Sequence, residues 1–213
     1  DEGFDSGEAN CVCQSTSGYI WIGTDNGIYR YDGSEFTLFP LDSDEDGTKY
    51  SINCIYLTSD DKLYVGTDNY GLYVYDNGAF NRVAETYNLG VSTINAMYED
   101  DKDQLWLASS SGIYYLTSDG VKMVDDEGIS GYNIGNISGY DGTIYATANN
   151  DVLIRVDENG EITVTSKSSY GIDDINSLYI DENGTRYYGS AGYSILTINS
   201  KGKVGVISTG SLH

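Results

Sequence analysis

The chain has 213 residues, enough for one large domain, and carries 26 Gly and 21 Tyr but a single Pro and a single His. Helix-favouring residues are sparse while Tyr, Ile, Thr and Val are abundant, which favours strands, and no apolar run approaches the roughly 18 residues of a membrane helix. With 33 acidic against 11 basic residues the formal charge is −22, which repels phosphate backbones and anionic lipid; nucleic acid and membrane surfaces are poor candidates as partners, and neutral or cationic ligands remain.

In chain order, Asp1, Glu2 and Asp5 stand where a signal peptide would carry positive charge, so the sequence is expected to be a processed protein or an excised domain. Residues 1–8 read as an N-terminal extension. From there the chain repeats. Ile20-Trp21-Ile22-Gly23-Thr24 recurs as Leu63-Tyr64-Val65-Gly66-Thr67 and Leu105-Trp106-Leu107-Ala108-Ser109, and more weakly as Ile144-Tyr145-Ala146-Thr147-Ala148 and Arg186-Tyr187-Tyr188-Gly189-Ser190. The spacings are 43, 42, 39 and 42 residues. Each copy holds four strand-like segments. The first opens on Ile-Asn, as in Ile52-Asn53, Ile94-Asn95 and Ile175-Asn176. Acidic hairpin turns such as Asp181-Glu182-Asn183-Gly184 join the first to the second. Repeats of about 40–45 residues with four strands each are propeller blades. The expected fold is therefore all-β, a β-propeller of five antiparallel blades near residues 9–47, 48–90, 91–130, 131–172 and 173–213, as a closed five-blade ring or an arc of a larger one.

Both faces of the segments are apolar, as expected of sheets packed on both sides. Trp21, Tyr64, Trp106, Tyr145 and Tyr187 place one bulky ring per blade, with Gly23, Gly66, Ala108 and Gly189 two residues on, and large beside small lets stacked sheets interdigitate. These rings are read as core rather than as ligand stackers. Cys11 and Cys54 share a position filled elsewhere by Ala96, Asn136 and Ser177, which assigns them as small buried thiols; whether the two are bridged stays open.

The stretch INCIY…KLYVGTDNYGLYVYDNGAF in the second repeat, and GYIWIGTDNGIYRYDGSEF in the first, resemble the two-component regulator propeller repeat. A Gly-apolar step ahead of the first strand is shared at Gly128-Ile129 and Gly171-Ile172, less cleanly at Leu89-Gly90, and departs at Gly47-Thr48. The resemblance spans residues 9–208. It implies a non-catalytic extracytoplasmic sensor domain, periplasmic or extracellular, within a membrane-anchored receptor that signals to a histidine kinase or another output domain. Such domains are thought to sense glycans, and their rings often have seven blades.

A ligand is expected at the ring end built from the loops joining second to third strands and the segments leading into the first strands. Candidate binding residues there are Asp25, Asn26, Asp68, Asn69, Tyr70, Tyr132, Asn133, Asn150, Tyr170 and Tyr193. Amides, carboxylates and aromatic faces together suit a sugar or another small polar ligand, although the same residue types also make turns. Asp42, Asp44 and Asp46 with Gly47 read as the start of a calcium loop, but Tyr50 and Asn53 stand where its chelating end should be. Calcium is the one cofactor the sequence offers. The only His is the last residue, so no internal Ser-His or Cys-His pair exists. The competing functions are a scaffold for protein contacts or self-association and, more weakly, a propeller glycosidase working through a carboxylate pair.

Overall fold

The computed structural model describes residues 8–41, 50–83, 90–91, 93–124, 128–129, 131–149, 151–172, 174–191 and 194–208. Twenty strands form five four-stranded antiparallel sheets, each in sequence order. Blade 1 comprises β1 Ala9–Gln14, β2 Ile20–Thr24, β3 Gly27–Tyr31 and β4 Phe36–Phe39. Blade 2 comprises β5 Ile52–Leu57, β6 Leu63–Thr67, β7 Leu72–Asp76 and β8 Ala79–Arg82. Blade 3 comprises β9 Ile94–Glu99, β10 Leu105–Ser109, β11 Gly112–Thr117 and β12 Gly120–Met123. Blade 4 comprises β13 Ile134–Tyr140, β14 Thr143–Ala148, β15 Val152–Val156 and β16 Ile162–Ser166. Blade 5 comprises β17 Ile175–Ile180, β18 Arg186–Ser190, β19 Ser194–Ile198 and β20 Val204–Ser208. Among the described residues one 3-10 turn, Lys167–Tyr170, leads out of blade 4. The first strand begins at Ala9 and the last ends at Ser208, as the repeats predict.

Four apolar cores sit at four blade junctions. Trp21 and Ile28 of blade 1 pack with Val65 and Tyr73 of blade 2, and Tyr64 and Leu72 pack with Leu107 and Tyr114 of blade 3. Ala108 and Ile113 then pack with Ala146 and Ile154, and Leu153 with Tyr188 and Leu196. Alternate residues of one strand thus face opposite neighbours, which is why neither face can be polar. Trp21 lies 5.1, 5.0 and 5.7 Å, centroid to centroid, from Phe39, Tyr75 and Phe80. The small residues beside the rings have a steric cause. Cys11 stands opposite Gly23 in register and Cys54 opposite Gly66; a Cβ on either glycine would come within 2.5 Å of the facing thiol sulfur. Blade 3 resolves the crowding with Ala96 opposite Ala108. Blade 4 uses Asn136 opposite Thr147, joined by a 3.0 Å hydrogen bond. The three cysteines are free.

Every first strand carries a register shift, a β-bulge, at its second residue, which is Asn in four blades and Gly135 in blade 4. In blades 1 to 3 the side chain of the bulged Asn turns outward to the next blade. Asn10 donates to the carbonyl of Ile52 at 3.0 Å, Asn53 to that of Ile94 at 3.3 Å and Asn95 to that of Ile134 at 2.7 Å. The recurring Asn is therefore a clamp between blades. The Gly-apolar step seats a plug: Val91, Ile129 and Ile172 are buried. In the second repeat the step is Gly90-Val91, one residue beyond the Leu89-Gly90 read from the sequence, with Gly90 at φ +69° supplying the left-handed turn.

The blades form an open arc. First strands pack in succession, β1 on β5, β5 on β9, β9 on β13 and β13 on β17, and no comparable packing joins β17 to β1 among the described residues. Exposure at matched positions says the same. Val12 is 68% exposed where its counterparts Met97 and Ile137 are 8% and 7%. Of the two expected arrangements the structure takes the arc.

Candidate functional site

The loops joining second to third strands share one internal frame. In blades 1 to 3 a buried hydroxyl at the end of the second strand closes the turn: Thr24 donates to the carbonyl of Gly27 at 2.8 Å, Thr67 to that of Gly71 at 2.7 Å and Ser109 to that of Gly112 at 2.9 Å. Each hydroxyl oxygen also accepts from a loop N–H, those of Asn26, Tyr70 and Ser111. In blades 2 to 5 main-chain bonds then tie the loop to the segment leading into its own blade: Asp68 to Ser51, Ser110 to Thr93, Asn149 to Asn133 and Ala191 to Asp174, at 2.8 to 3.2 Å. These bonds bring the two sets of segments to one end of the arc.

On that frame Asp25, Asp68, Asn69 and Asn133 are exposed and Asn26 is half-buried. Thr93 donates to Asp68 at 3.2 Å, and Asn95 donates to the Asn133 side-chain oxygen at 2.9 Å. Asn69 sits at φ +71°, and its N–H points to Thr93. The tyrosines differ from the exposed aromatics expected here. Tyr50 is buried, and Tyr70 is half-buried against it with ring centroids 4.5 Å apart. Tyr132 packs on the core between blades 3 and 4, and Tyr170 on the core between blades 4 and 5. The cause is the divergence of the blades: the segment between two sheets meets an apolar groove, and the nearest ring fills it. Beside Tyr170, Lys167 forms an ion pair with Asp174 and lies 3.7 Å from Asp151, and the Asp174 contact raises the lysine's pKa. Asn150, Tyr193 and the candidate calcium residues Asp42, Asp44 and Asp46 lie outside the described residues. Among the described residues no three His, Cys, Asp or Glu side chains converge as a metal set.

The opposite end holds concave space that the sequence reading did not anticipate. A cleft of about 500 Å³ opens between the hairpins of blades 2 and 3, with Ser59, Lys62, Tyr64, Glu99 and Gln104 on its walls. The Ser59 N–H and hydroxyl donate to the two Glu99 carboxylate oxygens at 2.7 and 3.1 Å, latching the hairpins together. A second cleft of about 420 Å³ lies between blades 3 and 4 and is lined by Trp106, Tyr115, Met123 and Glu158. Trp106 is only half-buried there: its indole N–H donates to Asp100 at 2.9 Å and its ring tilts against Tyr115. Trp21 is thus fully core, while Trp106 also faces a cleft. The repeat showed that a ring belongs at this position; how far the neighbouring hairpin leaves it uncovered depends on a non-local distance. A smaller cleft of about 220 Å³ between blades 4 and 5 brings Tyr145, Arg155, Tyr170 and Arg186 together, with the Arg186 guanidinium 4.5 Å from the Tyr145 ring centroid.

Five sheets in sequence order, stacked through paired apolar faces, define the β-propeller class. Within it, the sequence profile described as Two component regulator propeller matches residues 3–26, so the repeat resembled in the sequence is found in the first blade. No curated protein sequence matches the chain. Among solved structures, the extracellular domain of a protein assigned as a hybrid two component system, BT3049 of B. thetaiotaomicron, superposes with a TM-score of 0.79 at 16% identity, over 96% of this chain and 30% of that one. The extracellular domain of BT4673 of B. thetaiotaomicron, assigned as a one component system, gives 0.76 at 24% identity over 98% and 29%. Virginiamycin B lyase of Staphylococcus aureus gives 0.74 at 16% identity over 96% and 71%. The chain therefore spans about 30% of each of the two B. thetaiotaomicron domains. At these identities the superpositions establish the fold. No helix among the described residues is long and apolar enough to cross a membrane.

Proposed function

We propose that this chain is the ligand-sensing propeller of an extracytoplasmic receptor and is not catalytic. The ligand is a glycan or another small neutral polar molecule, held at the end formed by the second-to-third loops. The observation that carries this reading is the loop frame: buried hydroxyls and main-chain bonds hold Asp25, Asn26, Asp68, Asn69 and Asn133 in fixed positions at one end, with Tyr70, Tyr132 and Tyr170 behind them. Planar amides and carboxylates on a rigid scaffold suit hydroxyl recognition at low ordering cost. Asn150 and Tyr193 join the set by their place in the repeat. The neighbours assigned as extracellular domains of signalling systems support the receptor context. The lyase neighbour has a catalytically inactive form made by replacing one histidine with alanine. The single histidine here is His213, which speaks against that chemistry in this chain.

A glycan panel followed by thermal shift tests the proposal, since a ligand that binds the folded state raises its melting temperature. Asn69→Gly, which keeps the left-handed backbone, and Asn133→Ala should abolish the shift while leaving the unliganded protein within about 1 kcal/mol of the parent. The cleft at Trp106 and Tyr115 favours a second reading, a ligand bound at the hairpin end. A hit that survives both Asn variants and is lost in Glu158→Ala would move the site there.

A further inference from the structure

The junction between blades 4 and 5 departs from the repeat at two matched positions. The residue just before the second-strand ring faces the preceding blade. It is buried and apolar in the middle blades, where Leu63, Leu105 and Ile144 are 4%, 3% and 3% exposed. Blade 5 has Arg186 there. The residue paired with Ile28, Leu72 and Ile113 near the end of the fourth strand is also apolar: Phe39, Val83 and Val124 pack on the cores of the first three junctions. Blade 4 has Thr165 there, opposite Leu153. The cleft of about 220 Å³ lies at both departures, since Thr165 and Arg186 line it together.

The charge of this cleft is opposite to that of the chain. Arg155 and Arg186, two of the four arginines in the sequence, both line it, and among the described residues no carboxylate does. The cleft between blades 2 and 3 is lined by Asp60 and Glu99, and that between blades 3 and 4 by Asp100 and Glu158. Salt screens charges more than about 10 Å apart at 0.1 M, so the two guanidiniums, and not the net charge of −22, set the local sign.

Both arginines keep donors to spare. Arg186 is fixed in place: its Nε donates to the carbonyl of Ile198 at 3.4 Å and its Nη2 to that of Asn199 at 3.3 Å, with the guanidinium 4.5 Å from the Tyr145 ring centroid. Arg155 reaches the Asp157 carboxylate only at 3.9 Å, beyond hydrogen-bond range. Asp157 is committed to its own turn, where its other oxygen accepts from the N–H groups of Asn159 and Glu161, each at 2.9 Å. The nearby Asp151 and Asp174 are engaged by Lys167. Planar guanidiniums with unused N–H groups match the two oxygens of a carboxylate. Ile154, Ile198 and Val204 supply an apolar wall beside them.

We propose that the cleft between blades 4 and 5 binds a small organic carboxylate, its charged group on Arg155 and Arg186 and its apolar body against Ile154, Ile198 and Val204. The Thr163 and Thr165 hydroxyls supply two further donors. A carboxylate fits better than a phosphate, because a dianion meets twice the repulsion from the acidic chain on its way in. The site uses none of the amides and carboxylates of the loop frame, so the two sites stand or fall separately.

Ligand-observed NMR titrations of the 213-residue chain with benzoate, its neutral isostere benzamide and inorganic phosphate test this. Benzoate should bind saturably with a Kd of about 10 mM or tighter, as a ligand of its size allows. Benzamide and phosphate should bind about tenfold more weakly or not at all. Arg155→Gln, at a side chain 42% exposed, should weaken benzoate about tenfold. Thr165→Phe copies Phe39 of blade 1 and should abolish binding by filling the cleft; circular dichroism checks that both variants fold. Asn133→Ala, at the loop end, should leave benzoate binding unchanged. Equal binding of benzoate and benzamide, phosphate as tight as benzoate, or no saturable benzoate binding would each overturn the proposal. So would benzoate affinity untouched by Arg155→Gln, or lost in Asn133→Ala, which would put the carboxylate elsewhere.

Discussion

Alanine at Gly66 and alanine at Gly189 are the same chemical change at the same blade position, yet the arc predicts different costs. At Gly66 the added Cβ would stand 2.5 Å from the Cys54 sulfur, 2.8 Å from the Ile94 Cγ2 and 2.9 Å from the Ile94 Cβ. Cys54 belongs to the same sheet, but Ile94 belongs to the next blade, so both the sheet and the junction must open. Overpacking of this kind costs about 1–3 kcal/mol, and removing glycine's freedom from the unfolded chain offsets about 0.4–1 kcal/mol of it. The net expectation for Gly66→Ala is about 1–2 kcal/mol of destabilisation. At Gly189 a Cβ would meet only the Ser177 side chain, which stands on the exposed face of the last blade. The serine hydroxyl can rotate away, so Gly189→Ala should fall between about neutral and 0.5 kcal/mol stabilising, set by the unfolded-state term. Equilibrium urea denaturation read by tryptophan fluorescence and circular dichroism gives both values. Cys54→Ala placed in the Gly66→Ala background copies the Ala96 and Ala108 pair of blade 3 and should recover roughly half the loss, a coupling of at least about 0.5 kcal/mol. Equal costs at Gly66 and Gly189 would refute the open face behind blade 5, and zero coupling would refute the sulfur contact.

Trp21→Ala should cost about 3–5 kcal/mol, since its ring touches Phe39 of its own blade and Tyr75 and Phe80 across a sealed junction, and a stability within about 1 kcal/mol of the parent in a urea titration would contradict that packing. The Glu35 N–H, the Ser34 hydroxyl and the Ser34 N–H hold the Asp32 carboxylate down at about 2. Because the folded value is depressed, this carboxylate stabilises the fold fully above the unfolded value of about 3.9, and the contribution is lost as pH falls through about 2. The gap in urea midpoint between parent and Asp32→Ala should therefore be wide at pH ~5 and narrow towards pH ~2, and a gap that stays constant would discard the account. Burial pushes the Cys11 thiol up to about 11 and raises Cys54 as well. Near-neutral labelling with a thiol-specific disulfide reagent should modify both far more slowly in the native chain than in urea, and native rates matching the unfolded ones would show the thiols to be exposed.

The repeat was legible because a propeller blade is local: four strands joined by short turns leave a complete record within about 40 residues. Ile-Asn openings, one ring per second strand and a small residue beside it located every blade. The sequence could not say that the second Asn is a bulge, because a bulge is a relation between two strands, nor that its amide clamps the following blade. It placed Tyr70 and Tyr132 at the proposed ligand end but not their packing inward, which depends on the groove left where two sheets diverge. The Trp106 cleft was hidden for the same reason. Ring closure is the clearest case. Five similar repeats fit a ring or an arc equally, since each repeat specifies only the contact with its neighbour. Only the accumulated angle over four junctions decides whether Tyr179 meets Val12. That angle is set by side-chain bulk between sheets, and it leaves both residues facing solvent.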